Sequence, residues 1–181
     1  MARRVPYPDD EALPVIVPRN DHALVPTSPE RTRRLREHLG RLFISMRRAE
    51  PASMVRAGPK GFAARVANTA CSLCRGWCCL NGEDDAFLDE ATLARVPPGL
   101  VSAAEVIEMY VERVPDAGYQ DSCIFHGAKG CTLDRSMRSD VCNSYFCHGL
   151  HSFISSAAEA GPTVVISGEF DRMRLSPVLM P

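Results

Sequence analysis

The 181-residue sequence predicts a mainly α fold with short β-hairpins, an α+β arrangement. Three observations carry that prediction. Apolar residues recur at helical spacing in several segments that open on capping residues. Short β-branched or aromatic runs flank glycine turns. Prolines and glycine–proline pairs punctuate the chain at intervals too short for long elements. The length suits one ordinary domain with a tail, and 45% hydrophobic with 24% charged residues is a globular composition.

Residues 1–28 hold prolines at 6, 8, 14, 18 and 26 without an apolar period, so an extended arm lying on the domain is expected. A basic amphipathic helical segment over 29–67 follows. Its first helix opens either at Thr27, which has capping-box spacing to Glu30, or at Ser28, which precedes Pro29 at the first helical position. Leu35, Leu39, Leu42, Phe43 and Met46 form one apolar stripe. Arg31, Arg33, Arg34, Arg36, Arg41, Arg47 and Arg48 occupy much of the remainder. Pro51 closes this helix, Gly58-Pro59 breaks the chain again, and Phe62–Ala70 is expected to be helical up to the first cysteines.

Within 68–150, Ala86-Phe87-Leu88 suggests a short strand. Asp89 is placed to cap a helix over Glu90–Val96 that Pro97-Pro98-Gly99 ends. Ser102 and Glu105 form a second capping box, opening a helix over Ala103–Val114 with Val106, Met109, Tyr110 and Val114 inward. Cys123-Ile124-Phe125 and Cys131-Thr132-Leu133 flank a Gly127–Gly130 turn, which predicts a hairpin with one cysteine on each arm. A helix over Met137–Phe146 is expected next. The C-terminal stretch 151–181 should supply a helix over His151–Glu159, stopped by Gly161-Pro162. Thr163–Ser167 and Met173–Leu175 would then form a closing hairpin around Gly168, packing on the domain.

Net charge is −1, unevenly spread. Residues 1–70 carry 13 Lys/Arg against 7 Asp/Glu, and residues 71–181 carry 8 against 15. The basic front half would suit a nucleic acid or an anionic membrane through Arg31–Arg48, or would dock on the acidic back half. Intramolecular packing of the helix by its Leu/Phe stripe is the favoured reading. No transmembrane segment is expected, since no stretch reaches the ~18 apolar residues of a spanning helix. Basic Met1–Arg4 is followed by Val5–Asp10 rather than by the apolar run of a secretory signal. The expected location is cytoplasmic, where eight cysteines suggest metal or redox chemistry rather than four disulfides.

The cysteines fall in two groups. The first is Cys71-x2-Cys74-x3-Cys78-Cys79. On a continuous helix Cys71, Cys74 and Cys78 would lie at roughly 0°, −60° and −20°, three thiols on one face, with Cys79 on another. Gly76 makes a non-helical knuckle the alternative. The second group is Cys123-x7-Cys131-x10-Cys142-x4-Cys147, too widely spaced for one helix, with Cys142 and Cys147 about a turn and a half apart on the helix after the hairpin. A small helical domain organised around a cysteine-ligated metal centre accounts for the pattern. Zinc takes four thiolate or imidazole ligands, and a 4Fe–4S cluster takes four thiolates. Eight thiols would make two such sites, or one with thiols to spare. Arg75, Lys129, Arg135 and Arg138 are placed to offset the excess negative charge. His126, His148 and His151 lie beside the cysteines but read as surface residues, outside the ligand set.

Together these residues resemble the YkgJ-type cysteine-cluster family, a bacterial group described as zinc- or iron-chelating, whose hallmark is CxxCxxxCC followed by a C…GC…RP…C…Y…C stretch. The first part is complete in Cys71, Cys74, Cys78 and Cys79. The second reads Cys123, Gly130-Cys131, Arg138, Cys142, Tyr145 and Cys147, with Ser139 where that family usually has proline. The resemblance spans residues 68–150 and implies a mostly helical metal-binding module with all eight cysteines as metal ligands. It is also similar to part of the flagellin lysine methylases, where such a module accompanies an iron–sulfur centre. The expected function is therefore a zinc or iron–sulfur cysteine-cluster protein whose centre is structural or redox-active. An iron–sulfur oxidoreductase or protein-methylase component acting on an unidentified protein partner or substrate is one alternative. A nucleic-acid or membrane adaptor using residues 29–48 is another. No phosphate-binding glycine loop, dinucleotide fingerprint, G-x-S-x-G, H-E-x-x-H or CxxxCxxC spacing points to other chemistry.

Overall fold

The computed structural model describes residues 12–46, 58–95, 102–156 and 161–181. Among them lie six α-helices: α1 (Pro29–Met46), α2 (Gly61–Cys74), α3 (Glu90–Leu93), α4 (Ala103–Val111), α5 (Asp140–Ser144) and α6 (His148–Ser156). Seven short strands complete a mixed α+β fold: β1 (Leu13–Val17), β2 (Leu24–Pro26), β3 (Ala117–Tyr119), β4 (His126–Gly127), β5 (Gly130–Cys131), β6 (Thr163–Ser167) and β7 (Arg174–Leu175). The ends expected at Val96 and Glu159, together with Arg47, Arg48 and Pro51, fall outside the described residues. No helix among the described residues is long and apolar enough to cross a membrane.

The chain divides into two compact units, each assembled from separated stretches. The first collects the described residues up to Asn20, Gly58–Trp77 and Phe146–Pro181; the second collects those of Asp21–Ala57 and Cys78–Tyr145.

In the first unit a three-stranded sheet runs in the order β1-β6-β7. β1 pairs parallel with β6, Val15 opposite Val165, and β6 pairs antiparallel with β7, Ile166 opposite Leu175. The β6–β7 hairpin around Gly168 is the one expected from the sequence. β1 is not, because only Val15 and Val17 mark its inward face and Pro14 interrupts the run. Its place at the sheet edge explains how a proline is accommodated, since an edge strand tolerates one missing ladder donor. Val66, Ala67, Ala70 and Cys74 of α2 bury against Leu150 and Phe153 of α6 and against Val15, Val17 and Val165 of the sheet. Phe62 meets the Phe153 ring edge-on at 6.0 Å. Helix α6 passes β1 at Gly149, where an added Cβ would stand 1.9 Å from the Ile16 carbonyl oxygen.

The second unit carries a four-stranded antiparallel sheet, β2-β3-β4-β5. Leu35, Leu39 and Leu42 of α1 are buried, with Phe43 and Met46 packed beside them, so the predicted stripe is the buried face. Their core partners are Leu88, Leu93, Val106, Tyr110, Ile124, Phe125, Leu133 and Met137. Ser28 is the residue at the N-terminus of α1, its Oγ accepting from the Arg31 N–H at 3.4 Å. Thr27 instead donates its hydroxyl to the Pro115 carbonyl at 2.6 Å. Asp89 caps α3 by accepting from the Thr92 N–H at 2.7 Å. The Ser102–Glu105 capping box at the head of α4 is formed in full. That helix ends at Val111, and 3₁₀-type bonds from Arg113 and Val114 close the turn before Pro115.

Three local expectations are corrected. Ala86-Phe87-Leu88 is a turn, not a strand: Glu83, Ala86 and Phe87 have φ of 39°, 55° and 55°. The Asp85 side chain accepts from the Phe87 N–H at 3.1 Å, and the Ala86 N–H closes on the Gly82 carbonyl at 2.6 Å. The Asx turn offered by Gly82-Glu83-Asp84-Asp85 outcompetes strand propensity. Met137–Phe146 is not one helix but a 3₁₀ turn at Arg135–Met137, extended backbone at Arg138 and Ser139, and then α5. Ser139 is the reason: its Oγ caps α5 by accepting from the Cys142 N–H at 3.2 Å. Finally, β4–β5 is a hairpin, but Cys123 precedes its first strand and only Cys131 lies on an arm.

The arginines of α1 turn to acidic groups of their own unit. Arg31 and Arg34 each donate to Asp84 at 2.5 Å, and Arg36 reaches both Glu108 oxygens. Arg33 pairs along the helix with Glu30 and Glu37. Part of the charge asymmetry is thus met within the second unit, at Asp84 and Glu108.

Two outcomes follow from this packing. Gly149→Ala should lower unfolding free energy by about 2–3 kcal/mol, because the facing atom is backbone and the overpacking has no flexible side chain to absorb it; chemical denaturation measures it. Burial pushes the Tyr110 phenol up to about 12 from 10. A raised folded value means the stabilisation is fully present below pH 10 and is lost as pH rises from 10 towards 12. Alkaline titration of tyrosinate absorbance should therefore show one late-titrating tyrosine that Tyr110→Phe removes.

Candidate metal centre

The placement of the thiols begins with the end of α2. Arg75 adopts the left-handed conformation (φ 54°, ψ 39°) and donates its N–H to the Cys71 carbonyl at 3.2 Å; Gly76 follows at φ 70°. Such a left-handed pair is a helix stop. Residues Trp77–Asn81 then form a 3₁₀ helix. Cys71, Cys74 and Cys78 therefore do not share one helical face, and the glycine knuckle is the alternative that is realised.

The stop also separates the CxxCxxxCC run. Cys71 and Cys74 belong to the first unit and Cys78 and Cys79 to the second. Cys74 is buried in the first core, where its Sγ accepts the Trp77 N–H at 3.4 Å and its carbonyl accepts the Asn20 N–H at 2.8 Å. Cys71 is exposed. Cys147 is half-buried against the same apolar cluster as Cys74. It is not on one helix with Cys142, since α5 stops at Ser144 and Tyr145 is extended (φ −77°, ψ 131°).

Five thiols fall in the second unit: Cys78 and Cys79 from the first group, Cys123, Cys131 and Cys142 from the second. The Cys123 N–H donates to the Cys79 carbonyl at 2.7 Å, and the Gly82 N–H donates to the same oxygen at 3.1 Å. Gly82 is pressed against Cys123 so closely that an added Cβ would stand 2.8 Å from Cys123 Cβ and 3.3 Å from its Sγ. Cys131 lies on β5 opposite His126. Cys142, in the first turn of α5, points its Sγ at the Ala86 carbonyl at 4.0 Å. The set grades from buried Cys123 through half-buried Cys79 and Cys131 to exposed Cys78 and Cys142.

Electrostatics shows the same neighbourhood. A hydrogen bond from the Cys79 thiol lowers Cys78 to about 7, and the reciprocal bond, with burial, raises Cys79. Cys123 and Cys131 raise Cys79 further. Burial pushes Cys123 up to about 12, with Cys131 and Cys142 adding to it, while the Phe125 backbone and Arg31 pull the other way. Burial also raises Cys142; Cys131 and Cys78 add to that, and the Ser139 hydroxyl and Arg138 oppose it. Cys79, Cys123 and Cys142 thus each feel at least two other thiols. Without a countercharge, such neighbours oppose the ionisation of these three.

Among the described residues no group of three or more His, Cys, Asp or Glu side chains stands arranged to hold a metal ion. The five thiols are neighbours that would have to close around an ion, releasing protons as they did so. Their chemistry fits a thiophilic group: the facing donors are sulfur, and more than four are present.

Of the four cations expected nearby, Arg138 donates from Nε to the Leu133 carbonyl at 2.9 Å and reaches the Cys131 carbonyl at 3.4 Å, with its charge felt at Cys142. Arg75 is the left-handed cap of α2. His126 is corrected from a surface residue to a buried one, 2% exposed, with Nδ1 2.8 Å from Ser122 Oγ and its ring 4.7 Å from that of Tyr119. His148 and His151 are exposed as expected. Two participants were not picked out from the sequence. Arg31 sits half a chain away from the cysteines it affects, and Gly82 reads as one more turn residue until Cys123 is seen against it.

No family model, curated protein or solved structure matches the chain.

Gly82→Ala should displace Cys123 from Cys79 and destabilise the protein by about 1–3 kcal/mol. Thermal melting reads the stability, and faster maleimide labelling of Cys123 reads the displacement.

Proposed function

We propose that this protein is a cysteine-cluster metal binder and that the thiols of Cys78, Cys79, Cys123, Cys131 and Cys142 are the donors from which its centre is drawn. The observation that supports the reading is that five thiols from two stretches more than forty residues apart fall in one compact unit, where Cys79, Cys123 and Cys142 each feel others of the set. Independent burial of small apolar cysteines does not account for it, because two of the five are exposed. The resemblance to the YkgJ-type family, whose cysteine pattern this chain carries in order, supports the same chemistry.

Zinc or a 4Fe–4S cluster would be held by four of these thiolates, and the bound group would supply either folding energy or a redox couple. The protein's own residues would orient the sulfurs through the Cys79 carbonyl, the Ser139 hydroxyl and the Ala86 carbonyl. Arg31 and Arg138 would offset the net negative charge of a four-thiolate centre.

Anaerobic purification followed by elemental analysis and an absorption spectrum tests the proposal. About one zinc, or about four irons with a broad sulfur-to-iron absorption band, is expected per chain. Cys123→Ser should empty the centre and lower the melting temperature, since structural zinc sites contribute ~10–16 kcal/mol in small fingers and a pre-existing core would retain part of the fold. Protein that carries neither metal nor accepts either under anaerobic reconstitution rejects the proposal.

A further inference from the structure

Arg31 reaches three acceptors on two separate stretches of the second unit. Its Nε donates to Asp84 Oδ1 at 2.5 Å, and its Nη2 donates to the Glu83 carbonyl at 3.3 Å and to the Ser122 carbonyl. The pair is largely enclosed, with 19% of the Arg31 side chain and 18% of the Asp84 side chain exposed. Asp84 lies five residues beyond Cys79, and Ser122 is bonded to Cys123.

The stretch that Arg31 grips is strained. Glu83, Ala86 and Phe87 are left-handed, a conformation that L residues keep only where their surroundings over-determine it. Gly82, next to Glu83, is the residue pressed on Cys123. The Ile124 N–H donates to the Glu83 carbonyl at 2.7 Å, beside the Cys123-to-Cys79 bond. Release of the loop would therefore loosen the contact that holds Cys123 in place. The other arginines of α1 are not equivalent. Among the described residues Arg33 pairs only with Glu30 and Glu37 on its own helix, Arg36 pairs with Glu108, and Arg34 meets Asp84 from a side chain that is 47% exposed.

We infer that Arg31 is the positioning residue of the five-thiol cluster: its guanidinium fork ties the 82–84 loop to Ser122 and so holds Cys123 beside Cys79. The consequence for metal binding rests on the reading given under Proposed function; the consequence for thiol accessibility rests on the fold alone. A lysine would keep the charge but lose the fork that spans two stretches.

The test uses the full chain as wild type, Arg31→Gln, Arg31→Lys, Asp84→Asn and Arg33→Gln, with two readouts. Zinc affinity is measured anaerobically against a chromophoric chelator, and maleimide labelling of the metal-free protein is mapped cysteine by cysteine. Arg31→Gln and Asp84→Asn should weaken zinc binding roughly 10- to 100-fold and speed labelling at Cys123 while leaving buried Cys74 at its wild-type rate. Arg31→Lys should fall between, and Arg33→Gln should match wild type in both readouts. Should Arg31→Gln fail to fold, Asp84→Asn decides by the same criteria. Wild-type affinity and wild-type Cys123 labelling in these variants overturn the inference. So does a proportionate rise at Cys74, which would make Arg31 a general stabiliser. If the wild type takes no zinc, the metal reading loses its support, while Cys123 labelling still decides the role of Arg31.

Discussion

Two left-handed residues, Arg75 and Gly76, govern how the cysteine pattern is used. Had α2 continued, the wheel would have kept Cys78 with Cys71 and Cys74, and the run would have been one helical face. An L residue at φ 54° is disfavoured in the absence of local hydrogen bonding. The bond from the Arg75 N–H to the Cys71 carbonyl, together with a glycine next in line, makes the stop affordable. The consequence is that the last two cysteines of the run enter a different compact unit from the first two. The sequence spacing therefore describes two local structures joined by a turn.

Within the second unit Cys79 and Cys123 are brought close by backbone, not by attraction between their thiols. The Cys79 carbonyl accepts two N–H groups, from Gly82 and Cys123, and these bonds fix the two cysteines relative to each other whatever their protonation. Crowded thiols in a partly buried setting resist ionisation, so the arrangement is electrostatically unfavourable for an apo protein that needed thiolates and favourable for one that exchanges protons for a cation. Arg31 and Arg138 bring positive charge to different members of the set, Cys123 and Cys142. Neither cation is a surface accident. Arg138 is bound to two carbonyls of the Cys131–Leu133 stretch, and Arg31 to carbonyls on both sides of Cys123's neighbourhood.

What could be read from the sequence was local. The α1 stripe, the Asp89 cap, the Ser102–Glu105 box and the Gly168 hairpin each depend on residues within a few positions of one another, and each is present. That Cys78 and Cys79 share a compact unit with Cys123, Cys131 and Cys142, and Cys71 and Cys74 do not, is not legible in the spacing, because the division depends on where α2 stops. β1 was hidden because its partner, β6, lies some 150 residues away and its own pattern is two valines between prolines. Ala86-Phe87-Leu88 has strand propensity and yet forms a turn, because the Asp85 side chain supplies a hydrogen bond that propensity ignores. Ser139 is a helix cap, which shortens the helix expected around Cys142.

The arginine-rich helix shows most clearly why composition alone misleads. Seven arginines in twenty residues suggest a polyanion outside the molecule, yet Arg31, Arg34 and Arg36 are directed at Asp84 and Glu108 of the same unit. Exposed pairs of this kind contribute little to stability and are screened by salt. Enclosure changes that for Arg31 alone. Its guanidinium is held by a carboxylate and two carbonyls with little solvent access, so its interactions are strong enough to keep a strained loop in register. Within the second unit, α1 thus meets the cysteine-bearing stretches through its apolar stripe and through an enclosed charged side chain whose fork reaches the loop after Cys79 and the residue before Cys123.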